Sequence, residues 1–172
     1  PLSCKEPGFA KFNLKNSSPD DRDKLKFQWA VGNATTFAEL GNPTVDTQYS
    51  LCVWDEMSAI PQLVMEMIAM PAGNCVGNTC WKQIGSNRYK YRDPGLLPDG
   101  IKGLVVKAGA EGRAKVQVKA EGIPLPDPPM PFQQDVKITV QLVNSVGACW
   151  GVDFVTPAIR NDASNLILKE RP

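Results

Sequence analysis

Residues 113–120, Arg113-Ala-Lys-Val-Gln-Val-Lys-Ala120, alternate without a break. Ala114, Val116 and Val118 fall on one side, and Arg113, Lys115, Gln117 and Lys119 on the other. A period of two belongs to an extended chain with one face buried; an amphipathic helix needs a period of 3.6. The same signal recurs. Residues 24–31 place Leu25, Phe27, Trp29 and Val31 together, residues 136–142 repeat the alternation, and residues 11–15 show it with Phe12 and Leu14. Residues 101–107 make a further strand, and residues 81–84 and 88–92 a short hairpin around Gly85-Ser-Asn87. Residues 60–70 read as a strand with Leu63, Met65 and Met67 inward and Glu66 outward, with a helix as the rival. Short strands separated by turn signals, with no long amphipathic helix, predict an all-β fold. The expected form is an antiparallel two-sheet β-sandwich, Ig-like or jelly-roll-like and stabilised by disulfides. A length of 172 residues suits one domain, residues 1–172, in which segments 1–10 and 156–172 are free to engage neighbouring subunits.

Two strands carry both a cysteine and a tryptophan. Residues 48–55 hold Cys52 and Trp54; residues 147–154 hold Cys149 and Trp150. A Cys52–Cys149 bond would close most of the core and contribute about 4–5 kcal/mol on the chain-entropy estimate; the alternative is two buried thiols. Cys75-Val-Gly-Asn-Thr-Cys80 places two cysteines around a Gly-Asn turn, the pattern of a disulfide-closed hairpin. Five cysteines leave one over, and Cys4 is the expected odd thiol, free or bonded to another chain. Disulfides imply an oxidising compartment, so the expected location is extracellular or cell-surface. Pro1-Leu-Ser-Cys4 has neither the charge nor the apolar run of a leader, which leaves a cytosolic protein or a mature, processed chain, and the cysteine pattern favours the second.

Composition excludes several kinds of chemistry. The chain has no histidine, which removes Ser-His-Asp and Cys-His catalysis and histidine metal ligands. Cys75 and Cys80 have no second Cys or His pair to complete a zinc site, so no metal and no cofactor is expected. Asp55, Glu56 and Glu66, or Asp20, Asp21 and Asp23, contain the carboxylates of an acid/base pair or a calcium loop, but Asp-rich loops are ordinarily solvated turns. Net charge is +1, and no apolar run is long enough for a membrane helix. Lys102, Lys107, Arg113, Lys115 and Lys119 form a basic stripe without interleaved aromatics, which reads as a solvated face rather than a nucleic-acid site. Residues 123–132 contain five prolines, which forbid ladder hydrogen bonding and mark a rigid connector.

Tyr49-Ser-Leu-Cys-Val-Trp-Asp55, Cys80-Trp-Lys82, Tyr89-Lys-Tyr-Arg-Asp93, residues 100–109 and Cys149-Trp-Gly-Val-Asp-Phe154 together resemble an uncharacterised domain of secreted bacterial proteins. The resemblance covers residues of about 9–160. It implies an exported bacterial β-domain and carries no assigned activity.

The expected function is that of a non-catalytic, extracellular structural or self-assembling subunit of filament or surface-layer type. Its partners would be other copies of itself, held through Cys4 and the apolar tail residues Leu166, Ile167 and Leu168, with Phe9 to Leu14 adding a strand at the other end. The alternative is a secreted carbohydrate- or ligand-binding module using Trp81, Tyr89 and Tyr91 as a stacking platform.

Overall fold

The computed structural model describes residues 1–171. The chain opens with Pro7–Lys15 (β1) and Lys24–Gly32 (β2), then Tyr49–Met57 (β3) and Ile60–Ala69 (β4). A small hairpin, Asn74–Cys75 (β5) and Asn78–Thr79 (β6), precedes the meander Trp81–Ile84 (β7), Arg88–Arg92 (β8), Ile101–Lys107 (β9) and Ala114–Glu121 (β10). Ile138–Asn144 (β11), Cys149–Phe154 (β12), Arg160–Asn161 (β13) and Asn165–Glu170 (β14) complete it. Helical structure among the described residues is limited to two 3-10 turns, Asp20–Arg22 and Ala38–Leu40.

The strands form an eight-stranded sheet, in the order β13-β14-β1-β2-β10-β9-β8-β7, and a four-stranded sheet, β12-β11-β3-β4. Every ladder is antiparallel. The inward faces meet in one apolar core, the expected sandwich. Phe12, Phe27 and Trp29 of the larger sheet and Tyr49, Leu51 and Trp150 of the smaller are fully buried there. Their polar tips are satisfied: Trp29 Nε1 donates to the Gly151 carbonyl at 3.1 Å, Trp150 Nε1 to Thr35 Oγ1 at 3.1 Å, and the Tyr49 hydroxyl to the Leu40 carbonyl at 2.6 Å. Gly32 closes this packing, because a Cβ there would lie 1.8 Å from the Trp29 ring.

The proline-rich segment carries the chain from β10 in the larger sheet to β11 in the smaller. Leu125, Pro128 and Phe132 bury against the core. Having no ladder bonds of its own, the segment is held by side chains. The buried Asp55 carboxylate accepts the Gln133 and Gln134 amides at 2.6 and 2.9 Å, and Asn161 exchanges two bonds with the Phe132 backbone.

The ends of the chain differ from the sequence expectation. Segment 156–172, of which Pro172 lies outside the described residues, is expected to engage a neighbour; instead β14 pairs with β1 over Ala10 to Lys15, and Leu166 and Leu168 are fully buried in this chain's own core. Ile167 lies between them on the outer face, half-buried. Residues 9–14 likewise belong to β1 and pair with β2 and β14. Two apolar residues at i and i+2 met the period of a strand that completes the sheet, so no partner is needed to cover them. The strand expected from Val136 begins at Ile138. Residues 60–70 take the strand conformation rather than the helical one.

Candidate functional site

The cysteine pairing is the first correction. Cys149 bonds to Cys4, with Cα atoms 4.8 Å apart, and Cys52 is the free thiol. Sheet order explains it. Cys52 lies opposite Gln141 on β11, and Gln141 lies opposite Gly151 on β12, so Cys52 and Cys149 sit two strands apart and out of register. At about 4.8 Å per strand that separation is near 10 Å, beyond the ~7 Å that a disulfide spans. Cys4 reaches Cys149 because the N-terminal segment runs along the outer edge of β12. Lys5 makes a parallel bridge with Trp150, its N–H donating to the Cys149 carbonyl at 2.9 Å and its carbonyl accepting from Gly151 at 3.0 Å. Cys4 therefore seals this chain rather than linking two. Cys75 and Cys80 bond as expected across the β5–β6 hairpin, Cα atoms 5.0 Å apart.

The second correction concerns the aromatic platform. Trp81, Tyr89 and Tyr91 are 2%, 3% and 4% exposed. β7 and β8 pair Trp81 with Tyr91, and Trp81, Tyr89 and Tyr91 all turn to the core while Gln83, opposite Tyr89, lies exposed at the edge. Trp81 packs in tilted pairs with Tyr91, ring centroids 5.1 Å apart, and with Tyr49 at 5.4 Å, while Tyr89 stacks at 5.1 Å on Phe37. The outward parity of the same hairpin carries Lys82, Arg88, Lys90 and Arg92. These rings are core, and no sugar can stack on them.

The carboxylates do not converge either. Asp55 faces inward to the proline-rich segment, whereas Glu56 and Glu66 lie on the outer face. Asp23 turns in to accept the Ser17 amide at 2.5 Å, and burial raises its pKa from the ordinary aspartate value; Asp20 and Asp21 remain on the exposed turn. Among the described residues no group of three or more His, Cys, Asp or Glu side chains is placed to hold a metal.

Two surface features remain. The first is the outer face of the smaller sheet, where Ser50, Cys52, Trp54, Glu66 and Gln141 line an open depression of about 310 Å³. Leu2 lies over it, exchanging two hydrogen bonds with the buried Gln141 amide at 3.0 and 2.7 Å. Burial first, and then the Glu66 charge, push the Cys52 thiol up to about 11. At neutral pH it is protonated and a poor nucleophile. Trp54 is the tryptophan left partly exposed, a role expected of Trp81.

The second feature is the edge formed by β4, at ten residues the longest strand. Along residues 60–67 its outer side makes no backbone hydrogen bond among the described residues. The Ile68 amide points outward to Asp99 Oδ2 at 2.9 Å, so by alternation the Glu66 amide also points away from β3. Met57, Ile60 and Leu63 are exposed around the tip of the β3–β4 hairpin. The other sheet edges are guarded: β12 is covered by residues 4–6, β7 has four residues and β13 two. The register shift at Val53/Trp54 was the one signal in this region that alternation could not carry, since a bulge breaks the period.

Comparison with protein-family models, with curated proteins and with solved structures finds no match to this chain. No described helix is long and apolar enough to cross a membrane.

Proposed function

We propose that this chain is a non-catalytic structural subunit of an exported assembly, joined to its neighbours through the open edge of β4. The observation that carries this reading is the long strand left without an outer partner beside exposed Met57, Ile60 and Leu63. An edge of that kind is a template for strand addition, with backbone bonds supplying affinity and apolar side chains supplying fit. Two intrachain disulfides suit export to an oxidising compartment. The absence of histidine, the protonated Cys52 thiol and the diverging carboxylates support a role without catalysis. With the other edges guarded, β4 pairs with its own copy and closes a two-fold unit, and growth beyond it takes a second contact.

Sedimentation over a concentration series tests this. The wild-type chain is expected to associate, and Glu66→Pro, which removes an outward amide without touching the β3 ladder, to stay monomeric with an unchanged melting temperature. A wild-type monomer at the highest soluble concentration refutes the reading.

A further inference from the structure

The outer face of the eight-stranded sheet collects most of the chain's 19 Lys and Arg residues, although the net charge is only +1. The register shows how closely they sit. Lys11 lies directly opposite Lys169, and Lys15 opposite Lys24. Lys26 faces Lys119, and Lys82 faces Lys90. Lys107 is flanked on one side by Lys115 and on the other by Arg88. Among the outward strand positions of this sheet, Glu121 is the single carboxylate, and it is taken by Lys102 at 2.6 Å. Like charges directly opposite each other on a sheet are destabilising. Guarding an edge does not explain them, because β1, β2, β9 and β10 are interior strands whose backbone groups are already paired. The face works against the fold that carries it, and an anionic partner would reverse that.

We propose that this face binds a linear, flexible polysaccharide bearing sulfate or carboxylate groups. Cationic side chains repeat at about 4.8 Å across the strands and about 7 Å along them, a lattice for a chain of fixed charges. Exposed aromatics are missing from it: Phe9 lies beneath the Arg171 guanidinium at 5.7 Å, and Tyr89 and Tyr91 face the core. Single-stranded nucleic acid would therefore find no stacking surface. Eight strands twisting by about 20° at each step turn the face through roughly 140° from edge to edge. A planar bilayer touches only a band of such a surface, whereas a flexible polymer follows it. The site lies on the sheet opposite β4 and does not depend on the edge-pairing reading.

Heparin, as a sulfated probe, and alginate, as a carboxylate probe, are titrated at low and at physiological salt. The expected result is saturable binding to at least one, falling steeply with ionic strength. Lys26→Gln with Lys119→Gln is expected to weaken binding by roughly tenfold or more, and to raise the unfolding midpoint of the free protein at low salt, because it removes a repulsive pair. The control Lys5→Gln with Lys137→Gln makes the same charge change at the smaller sheet, away from the face, and is expected to leave binding within about twofold. The proposal is overturned if neither polysaccharide binds, or if the control pair weakens binding equally. It is also overturned if single-stranded DNA of equal charge, or phosphatidylglycerol vesicles, bind more tightly than both.

Discussion

Cys52 shows how one thiol can be accessible to solvent and still inert. Its neighbours are Gln141 and Glu66 across the strands, and its thiol is raised from 9.0 to about 11 by burial and by the Glu66 carboxylate. A two-unit rise lowers the thiolate fraction at pH 8 by about 100-fold. Labelling by iodoacetamide at pH 8 should be slower than that of a free cysteine by about that factor, and Glu66→Gln should speed it by removing the smaller of the two causes. Labelling at the free-thiol rate would show that Cys52 is not held as described. The thiol's identity as the odd one was not legible in the sequence. Spacing ranks pairings along the chain, but the bond is decided by sheet order and by residues 4–6 lying on the edge of β12, and both are long-range.

At the scale of elements, the strands that were legible are those whose alternation is long enough to define a face. β2, β9 and β10 fall within a residue or two of the alternating runs at 24–31, 101–107 and 113–120. β14 looks in the sequence like an apolar patch for a neighbouring subunit because Ile167, on the solvent side, joins Leu166 and Leu168 into one apolar run, and a six-residue strand offers few alternations to count. The parity that buries Trp81 and Tyr91 was present in Trp81-Lys-Gln-Ile84 and Tyr89-Lys-Tyr91, but the Trp-Tyr clustering suggested a platform instead. Because Leu168 is fully buried and pairs opposite Phe12, Leu168→Ala should cost about 2–4 kcal/mol, measured by guanidinium unfolding. A cost near zero would return the tail to the role of an external arm. The basic face was half legible: alternation gave the outward parity of each lysine, while bringing Lys26 beside Lys119 required the β2–β10 neighbourhood.

For the whole molecule, the buried weak acids set the alkaline limit of the fold. Tyr91 is raised to about 12 by burial and then by Asp93, and burial also raises Tyr49; both join Cys52 in titrating higher in the folded chain than in the unfolded one. The folded state therefore holds protons that the unfolded state releases. Stability should be fully present below pH 9, should fall as pH rises from 9 through about 11 for Cys52, and should fall further from 10 through about 12 for Tyr91. Guanidinium midpoints at pH 8 and pH 11 measure the loss, and Cys52→Ala should lessen the early part of it; a midpoint constant over that range would contradict the burial of these groups. The two disulfides contribute unequally on the chain-entropy estimate, about 5 kcal/mol for a sequence separation of 145 and about 2 for a separation of 5.

The longer bond also sets how the molecule carries mechanical load. β1 runs antiparallel to β14, so the two ends of the chain leave the sandwich on the same side. Tension applied at residue 1 passes through Cys4 directly to Cys149 and then along β12 to β14. The residues between the two cysteines lie outside the loaded path. Under force most of both sheets therefore stays folded until the sulfur–sulfur link is reduced.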